Sequence, residues 1–397
     1  MLVINVIQTI LLVLTGLATL YILLFSIAGL FYRERTFAPS GKYRKIAVFV
    51  PGYKEDEVIV EVAKEALAQN YPAEWYDVII IADSFQPETI QQLRQLPLKV
   101  IEVVFEKSTK SKALNSAMGQ LAEPYEIAVI LDADNVMASD FLVKINGIFD
   151  HHCMAVQGHR TAKNMNTPLA ILDAVSEEIN NHIFRKGHVV LGFSSAIIGS
   201  GMAFQYDYFK QLMSTVTAIG GFDKEIELKM LRAGYKILYL NNALVYDEKV
   251  QKAEVFSNQR RRWLSAQLHY FRTDFLSSLK DLLLKGNFDY FDKAIQFIQP
   301  PRILLLGGLL VLGAIFAVIN GMMDNCATFT YIWSAITGGC ILAFLLAIPG
   351  SFYNFQTAKA VLSLPKGMLL MLGSLLKIKG ANKKFLHTQH TSTTLNS

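Results

Sequence analysis

The sequence predicts an α/β fold: a Rossmann-like domain on a mostly parallel sheet, flanked by transmembrane helices. Three observations carry this reading. Residues 1–32 hold no charged side chain and run largely to Leu, Ile, Val and aromatics. Ile303–Met323 and Asn325–Ala358 are charge-free as well. Between about residues 44 and 250, short β-branched runs alternate with helical patterns, the order that lays helices on both faces of a parallel sheet.

The apolar ends explain why 52% of 397 residues are hydrophobic. A helix needs about 20 apolar residues to cross a bilayer core, and the first segment exceeds that. A cleaved signal peptide fits poorly, since it has a basic start and an apolar core of roughly 7–15 residues. Two further spans are expected near 304–320 and 329–348, joined by a turn around Asn320–Thr328. Gly367–Leu376 is too short to cross alone and reads as interfacial or re-entrant. Arg33, Arg35, Lys42, Arg44 and Lys45 follow the first span, and Lys377, Lys379, Lys383 and Lys384 lie in the tail. The loop between the second and third spans carries only Asp324. The positive-inside rule then places the N-terminus outside and the central domain and tail in the cytoplasm, at a bacterial inner or plasma membrane. The net charge of +5 suits anionic lipid headgroups. It does not suit nucleic acid, because no basic stripe with interleaved aromatics crosses the middle. Cys153, Cys326 and Cys340 give neither a disulfide framework nor a zinc spacing.

Within the central region, Ile46–Val50, Val78–Ile81, Val100–Phe105 and Ile127–Leu131 are expected strands. Asp56–Gln69, Pro87–Gln95, Ser111–Leu121 and Ser139–Phe149 are expected helices. Ligands bind such sheets at the carboxyl ends of the strands. Those ends read Pro51-Gly52-Tyr53-Lys54-Glu55-Asp56, Ala82-Asp83-Ser84 and Leu131-Asp132-Ala133-Asp134-Asn135. Each alone also reads as a solvated turn; their convergence on one edge points to a site. Asp132 and Asp134 have the spacing for one carboxylate to reach a ribose or sugar and the other a metal. Mg2+ or Mn2+ suits carboxylate plus phosphate oxygens. Downstream, Gln259-Arg260-Arg261-Arg262-Trp263 can grip a sugar and a phosphate together. Its alternative is a juxtamembrane basic anchor with an interfacial tryptophan.

Beyond Trp263, Leu268, Phe271, Phe275, Leu279 and Leu282 recur at helical spacing, as do Phe288, Phe291, Ile295 and Ile298. They read as helices in the membrane plane or as packing against the sheet domain, before Pro300-Pro301 breaks the pattern. The expected division is therefore 1–32 (first transmembrane helix), 33–265 (cytoplasmic sheet domain) and 266–300 (amphipathic interfacial helices). Residues 301–350 supply two transmembrane helices, and 351–397 an interfacial or re-entrant segment with a basic tail.

The motifs together resemble the membrane-embedded branch of glycosyltransferase family 2, which includes cellulose and hyaluronan synthases. They are Pro-Gly-Tyr-Lys-Glu, Ala-Asp-Ser, Lys-Ser-Lys-Ala-Leu-Asn, Asp-Ala-Asp, Gly-Ser-Gly-Met-Ala-Phe, Gly-Gly-Phe-Asp-Lys-Glu-Ile-Glu-Leu and Gln-Arg-Arg-Arg-Trp, in the family's order across roughly residues 44–265. The resemblance implies a GT-A-type fold and an inverting, metal-dependent transfer of a hexose from a UDP-sugar to a growing polysaccharide. Single addition to a lipid acceptor is the alternative, favoured by the narrow channel that three spans leave unless an oligomer or export partner widens it. It implies that Asp83 and Lys112 lie by the nucleotide, Asp132 by nucleotide or sugar, and Asp134 on the metal. It places Gly201, Gln259 and Trp263 at the acceptor, and Arg262 at the departing diphosphate. The family's Thr-Glu-Asp-x-Glu-Leu appears as Asp223-Lys224-Glu225-Ile226-Glu227-Leu228, which puts Glu225 at the position of the base. Glu227 reads instead as a partner for a basic side chain, and an acidic helix start capped by Asp223 is the plain alternative for both. His151, His152, His387 and His390 receive no catalytic role.

Overall fold

The computed structural model describes residues 2–34, 41–151, 153–218, 220–322 and 327–378. The readings placed on Arg35, His152, Asp324, Cys326, Lys379, Lys383, Lys384, His387 and His390 lie outside the described residues. The strands are β1 (Ile46–Tyr53), β2 (Tyr76–Asp83), β3 (Lys99–Val103), β4 (Ile127–Ile130), β5 (Val136–Met137), β6 (Ala155–Ala162), β7 (Met202–Gln205) and β8 (Ile237–Asp247). The helices begin with α1 (Leu2–Gly29), α2 (Ile59–Leu67), α3 (Pro87–Leu93), α4 (Lys110–Gln120), α5 (Phe141–Ile148) and α6 (Pro168–Asn181). A π-turn over His182–Gly187 leads from α6 into the short α7 (His188–Val190), followed by α8 (Tyr206–Ser214) and α9 (Phe222–Arg232). The chain ends in α10 (Ala253–Lys285), α11 (Phe288–Ile298), α12 (Arg302–Met322), α13 (Ala327–Ala347), α14 (Phe355–Val361) and α15 (Leu364–Leu376).

One sheet runs in the order β3-β2-β1-β4-β7-β6-β8-β5. The first four strands are parallel, with Val48 opposite both Val78 and Val129. Side chains alternate between faces along a strand, and both faces here are covered. Ile46, Val48 and Val50 enter one core with Val78 and Ile80, while Ala47 and Phe49 enter the other with Ile79 and Ile81. Continuous apolar runs are what such doubly covered strands require, and they were readable for that reason.

Past β4 the sheet turns mixed. β7 pairs antiparallel with β4 and β6, β8 runs parallel to β6, and β5 closes antiparallel on β8. β6 reads Ala-Val-Gln-Gly-His-Arg-Thr-Ala and yet is almost wholly buried. Two of its polar side chains are met by α6: His159 Nε2 lies 3.0 Å from Glu178, and Arg160 donates to Glu177 at 2.9 Å. A hydrophobic-pattern search passes over a strand whose core is ionic.

The division expected at residues 265 and 266 does not exist as a break. α10 is one helix of 33 residues that carries Gln259–Trp263 and runs on to Lys285, about 50 Å at 1.5 Å per residue. Gly286, in the left-handed region at φ 66°, ends it. Leu276, Leu283, Leu284 and Phe288 are left exposed along this part, while the opposite side packs on α9, α11 and α15.

Among the described residues, three helices are long and apolar enough to cross a membrane: α1, α12 and α13. α14 and α15 together form a pair bent by 50°, a broken span or a re-entrant element. α1 docks on the π-turn at Gly187, where a Cβ would fall 2.1 Å from the Phe25 carbonyl oxygen, so no larger residue fits. Inside the three-helix bundle, the Gln8 amide oxygen accepts from Asn320 and from Trp333 Nε1, each at 3.2 Å. Interhelical hydrogen bonds of this kind hold spans together. Gln8→Leu is therefore expected to destabilise the bundle by about 1 kcal/mol, measured as a shift in unfolding of the purified protein in detergent.

Candidate active site

The carboxyl ends of the parallel strands open into a cavity of about 660 Å³ whose far wall is α9, α10 and α11. Two non-glycine residues adopt positive φ at that edge, Lys54 (55°) after β1 and Ser84 (60°) after β2. Such conformations are costly and cluster at functional sites. The Lys54 amide donates to the Asp83 carbonyl at 3.1 Å, which stitches the two strand ends together. Asp83 itself is buried, lines the cavity and accepts from Ser84 Oγ at 2.9 Å.

The aspartate loop after β4 is held from two sides. The Asp132 amide donates to Ser200 Oγ at 2.9 Å, and Lys110 bonds both the Asp132 carboxylate and the Gly199 carbonyl (2.5 and 2.7 Å). Asp134 is buried and borders the cavity. With its oxygen turned toward Ser200 Oγ, the Asn135 amide places its nitrogen 3.2 Å from Asp134 Oδ1 and 3.1 Å from Asp247 Oδ1. Asp247 in turn meets Lys249 at 2.7 Å and Arg160 at 3.8 Å. Burial works to raise its pKa, but Arg160 and Lys249 outweigh burial and hold it below the usual carboxylate range.

On the far wall, Gln259, Arg262 and Trp263 all line the cavity. Burial lowers the pKa of the Arg262 guanidinium, while the Asp132 charge opposes that shift. Arg260 points elsewhere: it pairs with Asp173 and stacks over the Trp263 ring at 4.4 Å, fixing the indole by a cation–π contact. Gln259 Oε1 is buried with no hydrogen-bond partner among the described residues.

Three expected positions are corrected. Lys112 Nζ donates to the Lys107 carbonyl on the surface, outside the cavity lining, and Lys110 occupies the place expected for it. Gly201 is tied into the sheet and does not line the cavity: its amide donates to Ile130 O and its carbonyl accepts from the Gly158 amide, while Gly199 of the same segment does line it. Glu225 faces away. Its carboxylate accepts from the Ala218 amide at 2.9 Å and pairs with Lys229 at 2.7 Å, whereas Asp223 and Glu227 line the cavity. The cap expected from Asp223 is supplied by Gly221 at φ 73°, with Asp223 one residue inside the helix. Glu227 does pair with a basic side chain, Lys293, at 2.7 Å.

No group of three or more His, Cys, Asp or Glu side chains able to hold a metal occurs among the described residues. Mg2+ and similar hard cations are commonly held by one or two carboxylates plus phosphate oxygens. Asp132 and Asp134, one partly open and one buried on a single loop, fit that donor set.

A mixed α/β sheet with an acidic loop at its carboxyl edge is the arrangement of the GT-A class of fold. Residues 44–266 match the family model described as "Glycosyltransferase like family 2", and the chain belongs to that family. It is 25% identical over 230 residues to "Probable glycosyltransferase YdaM" of Bacillus subtilis (strain 168), covering 55% of this chain and 54% of that one. It is 24% identical over 235 residues to "Beta-monoglucosyldiacylglycerol synthase" of Synechocystis sp., covering 56% and 47%. The chain thus spans about half the length of these relatives. Its fold is that of a mannosyltransferase from Pyrobaculum calidifontis solved with GDP-Man and Mn2+, at a TM-score of 0.56 and 19% identity over 85% of this chain and 98% of that one.

Lys110 is the nearest cation to Asp132, and its loss leaves that carboxylate facing any bound diphosphate. Lys110→Met is expected to weaken UDP or GDP binding about tenfold, the weight of one charge-assisted hydrogen bond. Lys112→Met is expected to leave binding within about twofold, as for a surface substitution. Titration calorimetry on both variants checks the assignment.

Proposed function

We propose that the chain is an inverting glycosyltransferase that moves a sugar from a nucleotide-sugar donor, UDP-linked in the first instance, to a hydroxyl of a membrane lipid. The observation that carries this reading is the single cavity joining Asp83, Asp132 and Asp134 to Gln259, Arg262 and Trp263. The groups suited to donor and acceptor share one chamber, with Gln259, Arg262 and Trp263 all on α10.

Asp83 is suited to the uracil or ribose, and Lys110 and Arg262 to the charge growing on the departing diphosphate. Asp132 and Asp134 would hold Mg2+ or Mn2+, which supplies Lewis-acid charge at the same oxygens. Asp223 takes the place first expected for Glu225: it lines the cavity near Gly199, where it can accept the proton of the acceptor hydroxyl. Direct attack on the sugar then inverts the anomeric centre. Trp263, braced by Arg260, offers a flat apolar face to a pyranose. A cytoplasmic catalytic domain is supported by Arg33, Lys42, Arg44 and Lys45, which follow α1 in the sequence.

The lipid acceptor is supported by the filling of the span bundle. Ile22, Phe316, Trp333 and Cys340 are buried between α1, α12 and α13 along with the Gln8–Asn320 pair, which suits a bundle that anchors rather than conducts. The Synechocystis relative is named for a glycolipid product. A growing polysaccharide is the second reading, favoured by the Gln259–Trp263 cluster, and an oligomer or export partner would then be required.

The test is purification in nanodiscs and a panel of radiolabelled UDP-sugars and GDP-mannose with Mn2+ or Mg2+, with products sized by chromatography. Glycolipid of unit length supports the lipid reading, and a ladder supports the polymer. Asp134→Asn and Asp223→Asn are each expected to lower turnover by at least about 10²-fold, as loss of charge offset or of a general base does. Glu225→Gln is expected to retain transfer. An inactive Glu225→Gln beside an active Asp223→Asn returns the base to Glu225, and transfer indifferent to chelation removes the metal.

A further inference from the structure

Glu227 is a charged side chain in an unusual state. It is 2% exposed, lines the cavity one helical turn after Asp223, and has its Oε1 fixed by Lys293 of α11 at 2.7 Å. Its Oε2 is buried and has no hydrogen-bond partner among the described residues. A buried carboxylate oxygen left unmatched is costly, and native structures leave few. Lys293, itself buried and steadied by Gln296 Oε1 at 3.0 Å, already balances the charge. What remains at Glu227 is therefore room for one neutral donor, an O–H or N–H, rather than for a cation.

Gln259 Oε1, on the same wall in the neighbouring helix α10, is a second buried acceptor without a partner among the described residues. Both oxygens belong to side chains that line the same cavity as Asp223 and Trp263. An occupant that satisfies both must bring at least two donors. We propose that Glu227, clamped by Lys293, is an acceptor-binding residue, and that the acceptor it reads carries a polyhydroxylated headgroup, glycosyl or polyol, rather than a single hydroxyl. This rests on the transferase reading above and adds the class of acceptor to it. A site built to pair hydroxyls rejects the analogue that lacks them, because its own buried groups are then stranded.

The test uses the full chain in nanodiscs with the sugar nucleotide that the wild type turns over, and two acceptor probes: monoglucosyl dioleoylglycerol and dioleoylglycerol. The wild type is expected to favour the glucosyl probe by about tenfold or more in kcat/KM. Glu227→Gln is expected to raise the KM for that probe by about tenfold, equivalent to one hydrogen bond to a charged group, and to erase the preference. Sugar-nucleotide affinity should stay within about twofold, which also reports that the variant is folded. Glu227→Asp, which keeps the charge opposite Lys293 but withdraws the oxygens by one methylene, should give the same shift. Lys293→Arg should largely preserve the wild-type KM. An unchanged acceptor KM in Glu227→Gln, an equal loss with both probes, or a loss of donor affinity overturns the proposal while leaving transfer intact as a reading. A wild type that transfers to neither probe and binds no sugar nucleotide overturns the transferase reading, and this inference with it.

Discussion

The structure is organised around a buried charge cluster behind the aspartate loop. Arg160 on β6, Glu177 on α6, and Asp247 and Lys249 at the end of β8 are all within ion-pair reach of one another, with Arg185 of the π-turn beside Glu177. Burial alone would raise the Glu177 pKa; Arg160, Lys249 and Arg185 together hold it far below the normal range. Burying such charges is tolerable only when they compensate each other, and removing one partner commonly costs about 3–5 kcal/mol. The cluster does not close on itself. Through Asn135, Asp247 is linked to Asp134, so the groups that lock β6, β8 and α6 together also set the carboxylate at the cavity. Folding of the mixed half of the sheet and geometry of the site are one constraint.

That constraint also explains what the sequence made legible. The parallel half has apolar cores on both faces, and its strands could be read from Ile46–Val50, Val78–Ile81 and Ile127–Leu131 within a few residues. Their polar ends could be read with them, because a parallel strand must deliver its last residues to one edge. The mixed half is held by ionic and hydrogen-bonding groups, and β6 has the composition of a loop. Nothing in a period of two marks it. The signal available was weaker: a Gln-x-His-Arg run followed some 17 residues later by Glu-Glu, which suggests paired charges but not their burial.

The two misplaced charged residues share a cause. Lys110 and Lys112 stand two apart at the start of α4, and Asp223 and Glu225 two apart at the start of α9. Successive helical residues turn by about 100°, so a shift of two swings a side chain to the opposite face, whereas residues four apart return to the same face. Motif spacing identifies the segment but not the phase of its helix. In α9 the phase is set by Gly221, whose left-handed backbone starts the helix so that Asp223 and Glu227 face inward together. Glu225 is then free to tie down the Thr217–Ala218 turn, a structural task for a carboxylate that looked catalytic.

The cavity is also tied to the apolar helix α1 by a continuous series of polar contacts. Tyr21 of α1 donates to Asp292 at 2.7 Å and lies 3.0 Å from His188 Nε2, which itself is 3.2 Å from the other Asp292 oxygen. Gln296 bonds Asp292 and meets His188, and its amide oxygen accepts from Lys293, which holds Glu227. His188 stacks flat on Phe25 of the same helix, 3.7 Å between ring centres. Each member is buried or half-buried, so none has bulk water as a ready substitute for a missing partner. Without α1 in place, Asp292 and His188 lose the contacts that orient α11, and with them the lysine that neutralises Glu227. The apolar helix therefore does more than hold a soluble enzyme near a surface: its docking at Gly187 and Phe25 completes the hydrogen bonding of the wall against which an acceptor would sit.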